Sequence, residues 1–358
     1  MTDENFLVME KSIPVPEGAK TRVTTDLDFD LEGKQISYLR IPYSRNTSAW
    51  GRLLIPIVQF KNGDGPTMFI SGGIHGDEFE GPVVLIKLIQ RLKLENVQGR
   101  IIIMPAVNLP AHLQSTRLSP IDNVDLNRCF PGSKTGSVTQ VLAHYINDFI
   151  VPKADYVLDM HSGGTSLDFA PCVVMHQLED KEIEAKTLAA VRAYGAPFAL
   201  YLKEGDPDGL LDTAVEKAKK VFLSTELRGG ATVTKDAVDI ADNGLCNLLN
   251  HFGVAKANRS KYTRYKNKTT TTLLRTADES CFITAEDDGL FEPLVNLGDR
   301  VKAGQPIGQL HHITTPARRP FLLKANSDGV FICRRVQGRA EAGDCLAVIA
   351  TEEEWEDL

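Results

Sequence analysis

Short apolar runs that stop at glycine-rich polar turns recur through the middle of the chain and alternate with longer helical stretches. Met68–Ser71 is such a run, ended by Gly72-Gly73. Ile101–Val107 is another, rich in isoleucine and too short for a helix. Tyr156–Met160, Cys172–Met175 and Val221–Thr225 repeat the pattern. Pro82–Leu92, Val138–Ile150, Lys181–Ala193 and Lys235–Phe252 read as helices. Pro82 suits a first helical turn, where its missing N–H is not needed, and Gly253 suits a helix stop. Strands separated by helices predict an α/β fold with a mostly parallel, or mixed, sheet covered on both faces. Ligands in such folds bind beyond the carboxyl ends of the strands. The turns after the strands are therefore the place to look for chemistry.

Composition narrows the class. A chain of 358 residues has length for about two domains. Apolar residues make up 42% and charged residues 24%, near the average of globular proteins, so no collagen-like or largely disordered chain is expected. Lys plus Arg is 40 against 47 for Asp plus Glu, a net charge of −7, which lacks the positive field of a nucleic-acid binder. Apolar runs fall short of the ~18 residues of a membrane span. The start, MTDENFLVME, is acidic where a signal peptide would be basic. Cys129, Cys172, Cys246, Cys281, Cys333 and Cys345 are scattered without a CxxC pair, and free thiols in a reducing cytoplasm are expected.

Three regions follow. Residues 1–50 read as a lead-in with short strands, 51–258 as the catalytic α/β unit, and 269–350 as a C-terminal β domain. In the last, Ala285–Phe291 (AEDDGLF) matches Ala325–Phe331 (ANSDGVF), while Gly298 pairs with Gly338 and Gly304 with Gly343. Two copies of a ~40-residue unit suggest a small quasi-symmetric barrel or sandwich. The pattern GDRVKAGQPIG resembles biotinyl/lipoyl-type barrels. His311–Arg319 contains no lysine to carry a prosthetic group, so a barrel without one is expected. The acidic tail Thr351–Leu358 is expected to be solvated.

Four polar clusters stand out. Gly73-Ile74-His75-Gly76-Asp77-Glu78 follows the first run, with His75 and Glu78 three apart. Leu158-Asp159-Met160-His161-Ser162-Gly163-Gly164 ends another. Two histidines and a carboxylate match a His₂Glu catalytic zinc site with an open fourth position. Asp125-Leu126-Asn127-Arg128 is a polar loop with a planar cation, and Ser224-Thr225-Glu226 puts a carboxylate at a strand end. Each has a plain structural explanation: HxxE by chance, a hydrogen-bonded core histidine, a helix cap, a strand-end ion pair. Their coincidence in Gly-flanked segments at or beyond strand ends favours a metal hydrolase, since together they supply ligands, base and anion binders.

The combination HGDE, DLNRxFPG, DxHSGG and TELRGG resembles the succinylglutamate desuccinylase/aspartoacylase family of the zinc carboxypeptidase superfamily. The likeness covers about residues 50–255 plus the C-terminal β domain. IPYSRNTSAWG, SPIDNVDLNRCFPG and LDMHSGGTSLDFAP are further similar to the members that deacetylate N-acetyl-L-2,4-diaminobutyrate in ectoine breakdown. The resemblance implies one Zn²⁺ per chain on His75, Glu78 and His161, with water in the fourth position. It implies Glu226 as general base and proton carrier, Arg117 as electrophile on the oxyanion, and Asn127 and Arg128 as grip on the α-carboxylate. Asp125 would accept the second N–H of His75. Asp159 shares a strand face with His161 by period-two alternation and reads either as a carboxylate behind that ring or as a buried strand-end hydrogen bonder. His112, His144, His176, His251, His311 and His312 read as structural or surface groups.

The expected reaction is deacylation of a small N-acyl amino acid, N-acetyl-2,4-diaminobutyrate being the best single guess. Succinylglutamate desuccinylase or aspartoacylase chemistry is the alternative, as is a carboxypeptidase acting on peptides; the C-terminal domain, as a cover on the cleft, favours a small substrate. A binding module without activity would be expected to lack a ligand or the base, and all four residues are present. Asp168, seven residues beyond His161, is an acid for a substrate ammonium or an ordinary turn residue. No nucleic-acid or membrane partner is expected, and self-association is left open.

Overall fold

The computed structural model describes residues 21–203, 208–265, 270–276 and 278–355. The opening segment MTDENFLVME and the last three tail residues lie outside them. The first half runs β1 (Gly33–Pro42), β2 (Arg52–Asn62), β3 (Thr67–Gly72), α1 (Glu80–Arg91), β4 (Gly99–Met104), α2 (Leu109–Gln114), α3 (Val138–Tyr145), β5 (Tyr156–His161), β6 (Leu167–Phe169), β7 (Cys172–His176), α4 (Lys181–Tyr194), β8 (Phe198–Leu202), α5 (Leu211–Lys217), β9 (Val221–Glu226) and α6 (Lys235–His251). The rest is β10 (Thr272–Thr276), β11 (Phe282–Thr284), β12 (Gly289–Pro293), β13 (Arg300–Val301), β14 (Pro306–His311), β15 (Phe321–Lys324), β16 (Gly329–Arg335), β17 (Arg339–Ala340) and β18 (Cys345–Glu353).

The central sheet has the order β1-β2-β4-β3-β5-β9-β7-β8-β10. It is mixed. β4, β3, β5 and β9 run parallel, as do β7, β8 and β10, and β7 lies antiparallel to β9. Period-two alternation sends the apolar runs into two cores. Ile101 and Ile103 face α1, α4 and α6, whereas Ile102 and Met104 face α3 and α5.

Several boundaries shift for physical reasons. The strand at Ile101 stops at Met104, because Pro105 begins a turn. The helix from Val138 is α-helical only to Tyr145 and widens into a π-turn over Ile146–Ile150. Helix α1 begins two residues before Pro82, which still lies in its first turn. The expected lead-in instead holds the ten-residue β1, paired with β2 along its length. Its side chains Leu39 and Ile41 complete the second core, so the strand belongs to the main sheet.

The C-terminal strands join that sheet through β10 and continue as β18, β16 and β13, with a separate four-stranded sheet β15-β14-β12-β17. They enclose a core of their own around Phe291, Leu310, Phe331 and Ile349. The internal repeat is visible in its hydrogen bonds. Ala285 N donates to Asp344 O (2.8 Å) and Ala325 N to Gln305 O (2.9 Å). Asp288 Oδ1 accepts from Ala342 N (3.0 Å), and Asp328 Oδ1 from Ala303 N (2.8 Å). Each copy thus closes its Asp-Gly turn on the other copy. The tail is not wholly solvated: Trp355 Nε1 donates to Thr271 O (3.0 Å), and Arg192 lies over its ring at 4.6 Å.

Candidate active site

Three strands and their loops deliver the site. β3 ends at Gly72, and the loop to α1 carries His75 and Glu78. That loop sits against α2: a Cβ on Gly76 would lie 2.0 Å from Ala111 C, so only glycine fits. β5 delivers Asp159 and His161 on one face, and its parallel neighbour β9 delivers Glu226 in register with His161. The SGGT and LRGG loops beyond these strands zip together, with Gly163 N to Arg228 O (2.8 Å) and Ala231 N to Gly164 O (2.8 Å). A Cβ on Gly229 would stand 1.9 Å from Leu167 O. This glycine therefore lets two backbones meet. Arg228 itself adopts a left-handed backbone, φ 63°, at this junction.

His75 Nδ1 lies 2.6 Å from Glu78 Oε1, and His161 Nδ1 lies 2.9 Å from Glu78 Oε2. Ligand atoms of the three residues stand within 4.8 Å of one another, and all three residues are buried. Each far nitrogen stands beside a carboxylate. His75 Nε2 is 3.1 Å from Asp125 Oδ1, and His161 Nε2 is 2.9 Å from Asp159 Oδ2. Asp159 is in turn fixed by the Ser71 hydroxyl, which donates to Oδ1 (2.8 Å). Such outer carboxylates orient the ring and fix which nitrogen faces inward.

The electrostatics fit a cation at the centre. Burial works against a charged Glu78, but His161 and His75 outweigh it and bring the carboxyl down to about 2. Burial likewise opposes protonation of both rings, and the flanking carboxylates overcome it, raising His75 and raising His161 further. Two imidazoles and a carboxylate suit zinc. Among the described residues, this is the His/Cys/Asp/Glu group with metal-binding spacing.

Glu226 stands beside this group. Burial first, then the Glu78 carboxylate, push it up to about 8, and its Oε2 is buried without a hydrogen-bond partner. Arg117 holds Asp125 through Nε (3.1 Å) and places Nη1 3.4 Å from His75 Nδ1. Asn127 is buried, with Oδ1 accepting from Leu211 N (3.0 Å), and Arg128 Nη1 donates to Asn127 O (2.8 Å). Burial opposes the charge on Asp125, but His75 and Arg117 bring it down to about 2.

These residues line one cavity of 440 Å³, apart from Asp125, which stands behind His75. The β5–β9 face forms its floor. Phe282, Ile332, Cys333, Cys345 and Val348 of the C-terminal strands line it from above, and β6 is hydrogen-bonded to β16. Asp168 does not enter. Leu167 and Phe169 line the cavity, whereas Asp168 points the other way, to Arg334 Nη2 (3.1 Å) and Arg228 Nη1 (3.7 Å). Alternation along β6 is the reason. His176, read from sequence as structural, lines the cavity instead, as does Asp212. Period two along β7 from Cys172, the residue opposite Glu226, would have pointed to His176; no motif marks Asp212.

Comparison with known proteins agrees with this architecture. Residues 64–252 match the model of the succinylglutamate desuccinylase/aspartoacylase catalytic domain. The chain is 41% identical over 328 residues to the N-alpha-acetyl-L-2,4-diaminobutyric acid deacetylase of Halomonas elongata, covering 92% of this chain and 94% of that one. The product-bound structure of the ectoine utilization protein EutE (DoeB) from Ruegeria pomeroyi superposes with a TM-score of 0.88 at 39% identity, covering 93% of this chain and 100% of that one. A succinylglutamate desuccinylase from Silicibacter sp. TM1040 gives 0.87 at 40% identity, covering 93% and 99%. The chain belongs to the succinylglutamate desuccinylase/aspartoacylase family of deacylases.

Proposed function

We propose that this protein is a zinc-dependent deacetylase of N-acetyl-L-2,4-diaminobutyrate, releasing acetate and the amine in the cytoplasm. The observation that carries the hydrolytic part is Glu226. Its half-buried carboxylate, with Oε2 enclosed and without a hydrogen-bond partner, lies in register with His161, beside the His75–Glu78–His161 group. The likeness to the Halomonas elongata deacetylase supports the substrate. A cavity of 440 Å³ under a β cover accords with a small N-acyl amino acid and leaves little room for a peptide chain.

His75, Glu78 and His161 would hold the ion. Zinc, when bound, supplies a water acidified toward neutral pH and a Lewis acid for the acyl carbonyl. Glu226 takes the proton of the attacking water and hands it to the departing amine, which otherwise leaves as a poor anion. Arg117 presents its guanidinium, 3.4 Å from His75 Nδ1, to the negative charge that grows on the acyl oxygen. Asn127 and Arg128 grip the α-carboxylate and set the amide against Glu226. Asp125 and Asp159 hold the two rings. The C-terminal unit, taken as residues 269–350 over a catalytic unit at 51–258, keeps bulk water out.

The test is amine release from a panel of N-acyl amino acids by zinc-loaded protein. N-acetyl-2,4-diaminobutyrate should be turned over best. Preference for N-succinylglutamate or N-acetylaspartate would move the assignment to the other branch of the family.

A further inference from the structure

The hydrolytic set leaves unexplained how the substrate's side chain is read. Asp212 is a carboxylate in the cavity wall that takes no part in that set. Its position is tied to the α-carboxylate grip. Asn127 Oδ1 accepts from the backbone of Leu211 (3.0 Å), and Phe130 N donates to Gly209 O (2.9 Å). The segment that carries Asp212 is thus docked on the loop that carries Asn127 and Arg128. An amino acid held there by its carboxylate projects its side chain over the next few ångströms of wall. A two-carbon side chain ending in nitrogen sets that nitrogen roughly 4 Å from the α-carbon by standard bond lengths.

Asp212 is backed by charge of the same sign. Its Oδ2 lies 3.9 Å from His176 Nε2, and His176 Nδ1 is 3.1 Å from Glu216 Oε1. One imidazole thus stands between two carboxylates, Asp212 toward the cavity and Glu216 behind it. Among the described residues lining the cavity there is no lysine, and the guanidinium groups are Arg117 and Arg128. A substrate with a second carboxylate would meet repulsion at this wall, and one with an ammonium would meet attraction.

We propose that Asp212, backed by His176 and Glu216, is the residue that selects a substrate side chain ending in an ammonium group. This rests on the reading of the cavity as an N-acyl amino acid site, and it adds the side-chain recognition which that reading lacks.

The test separates the two. Binding of L-2,4-diaminobutyrate and of L-2-aminobutyrate, the same skeleton with a methyl in place of the aminomethyl group, is measured by calorimetry on the zinc-loaded full chain. No turnover is needed. The unmutated protein should prefer diaminobutyrate, and Asp212→Asn should weaken it on the order of 10- to 100-fold while changing 2-aminobutyrate less than about threefold. Glu216→Gln should give a smaller loss in the same direction. Equal affinity of the unmutated protein for the two ligands would overturn the proposal. So would an equal loss of both in Asp212→Asn, which would mean that Asp212 merely holds α5 in place. Turnover of the acyl panel reports separately on the deacetylase reading: the binding preference stands or falls whether or not the acetylated substrate is cleaved.

Discussion

His161 and Glu226 are register partners on the parallel strands β5 and β9, so the imidazole of the candidate metal group and the half-buried spare carboxylate arise side by side from two stretches 65 residues apart in sequence. Neighbouring strands lie about 4.8 Å apart, which is why the pair needs no loop to bring it together. Glu226→Gln keeps the size of the side chain and removes its ability to carry a proton. Turnover should fall by about 10²–10⁴-fold with zinc content unchanged. Rate measurements alongside metal analysis check this. Loss of zinc in the variant would instead make Glu226 a ligand.

Asp159 works through His161. It is fully buried, anchored by the Ser71 hydroxyl and 2.9 Å from His161 Nε2. Asp159→Asn should lower zinc affinity roughly 10- to 100-fold while the fold persists. Competition with a chelator of known affinity reads the change. Removing both rings, by His75→Ala with His161→Ala, should abolish stoichiometric zinc.

Arg128 is exposed at the mouth and bonded to its own neighbour's carbonyl, which leaves the guanidinium able to turn to a substrate. Arg128→Ala should raise KM for substrates with a free α-carboxylate by about 10- to 100-fold, as expected for a charge-assisted pair. Their α-amide analogues should be poor substrates of the unmutated enzyme and little affected by the change. Equal cleavage of acid and amide before mutation would remove the clamp.

Asp122 offers a stability test away from the ion. Its carboxylate accepts from Thr139 N (2.9 Å) and Thr139 Oγ1 (2.8 Å) in the first turn of α3. Burial raises its pKa, but the nearby Ser137 and Ser119 hydroxyls together with the two hydrogen bonds from Thr139 outweigh burial and lower it. A depressed carboxylate contributes stability above its unfolded pKa of about 3.9 and loses it as pH falls through the folded value. Asp122→Ala should cost about 0.5–2 kcal/mol at neutral pH. The gap between variant and parent should close in acid, and chemical denaturation at pH 7 and near pH 3 measures both.

Much of the candidate site was legible in the sequence because its clusters are local. His75 and Glu78 are three residues apart in one turn, Asp159 and His161 share a strand face, and each cluster carries its own glycines. The strand–helix rhythm gave the sheet for the same reason, since hydrophobic period is a property of short windows. What tertiary structure decided is non-local. Strand order set His161 beside Glu226 and turned β7 against β9, which brings His176 into the cavity wall. Strand alternation fixed Asp168 outward only once β6 had paired with β16, a contact across more than 160 residues. Asp212 sits in no motif, and its place in the wall depends on Asn127 reaching a backbone N–H from another element. Sequence specifies which side chains share a turn or a face. Which faces meet depends on the packing of the whole sheet.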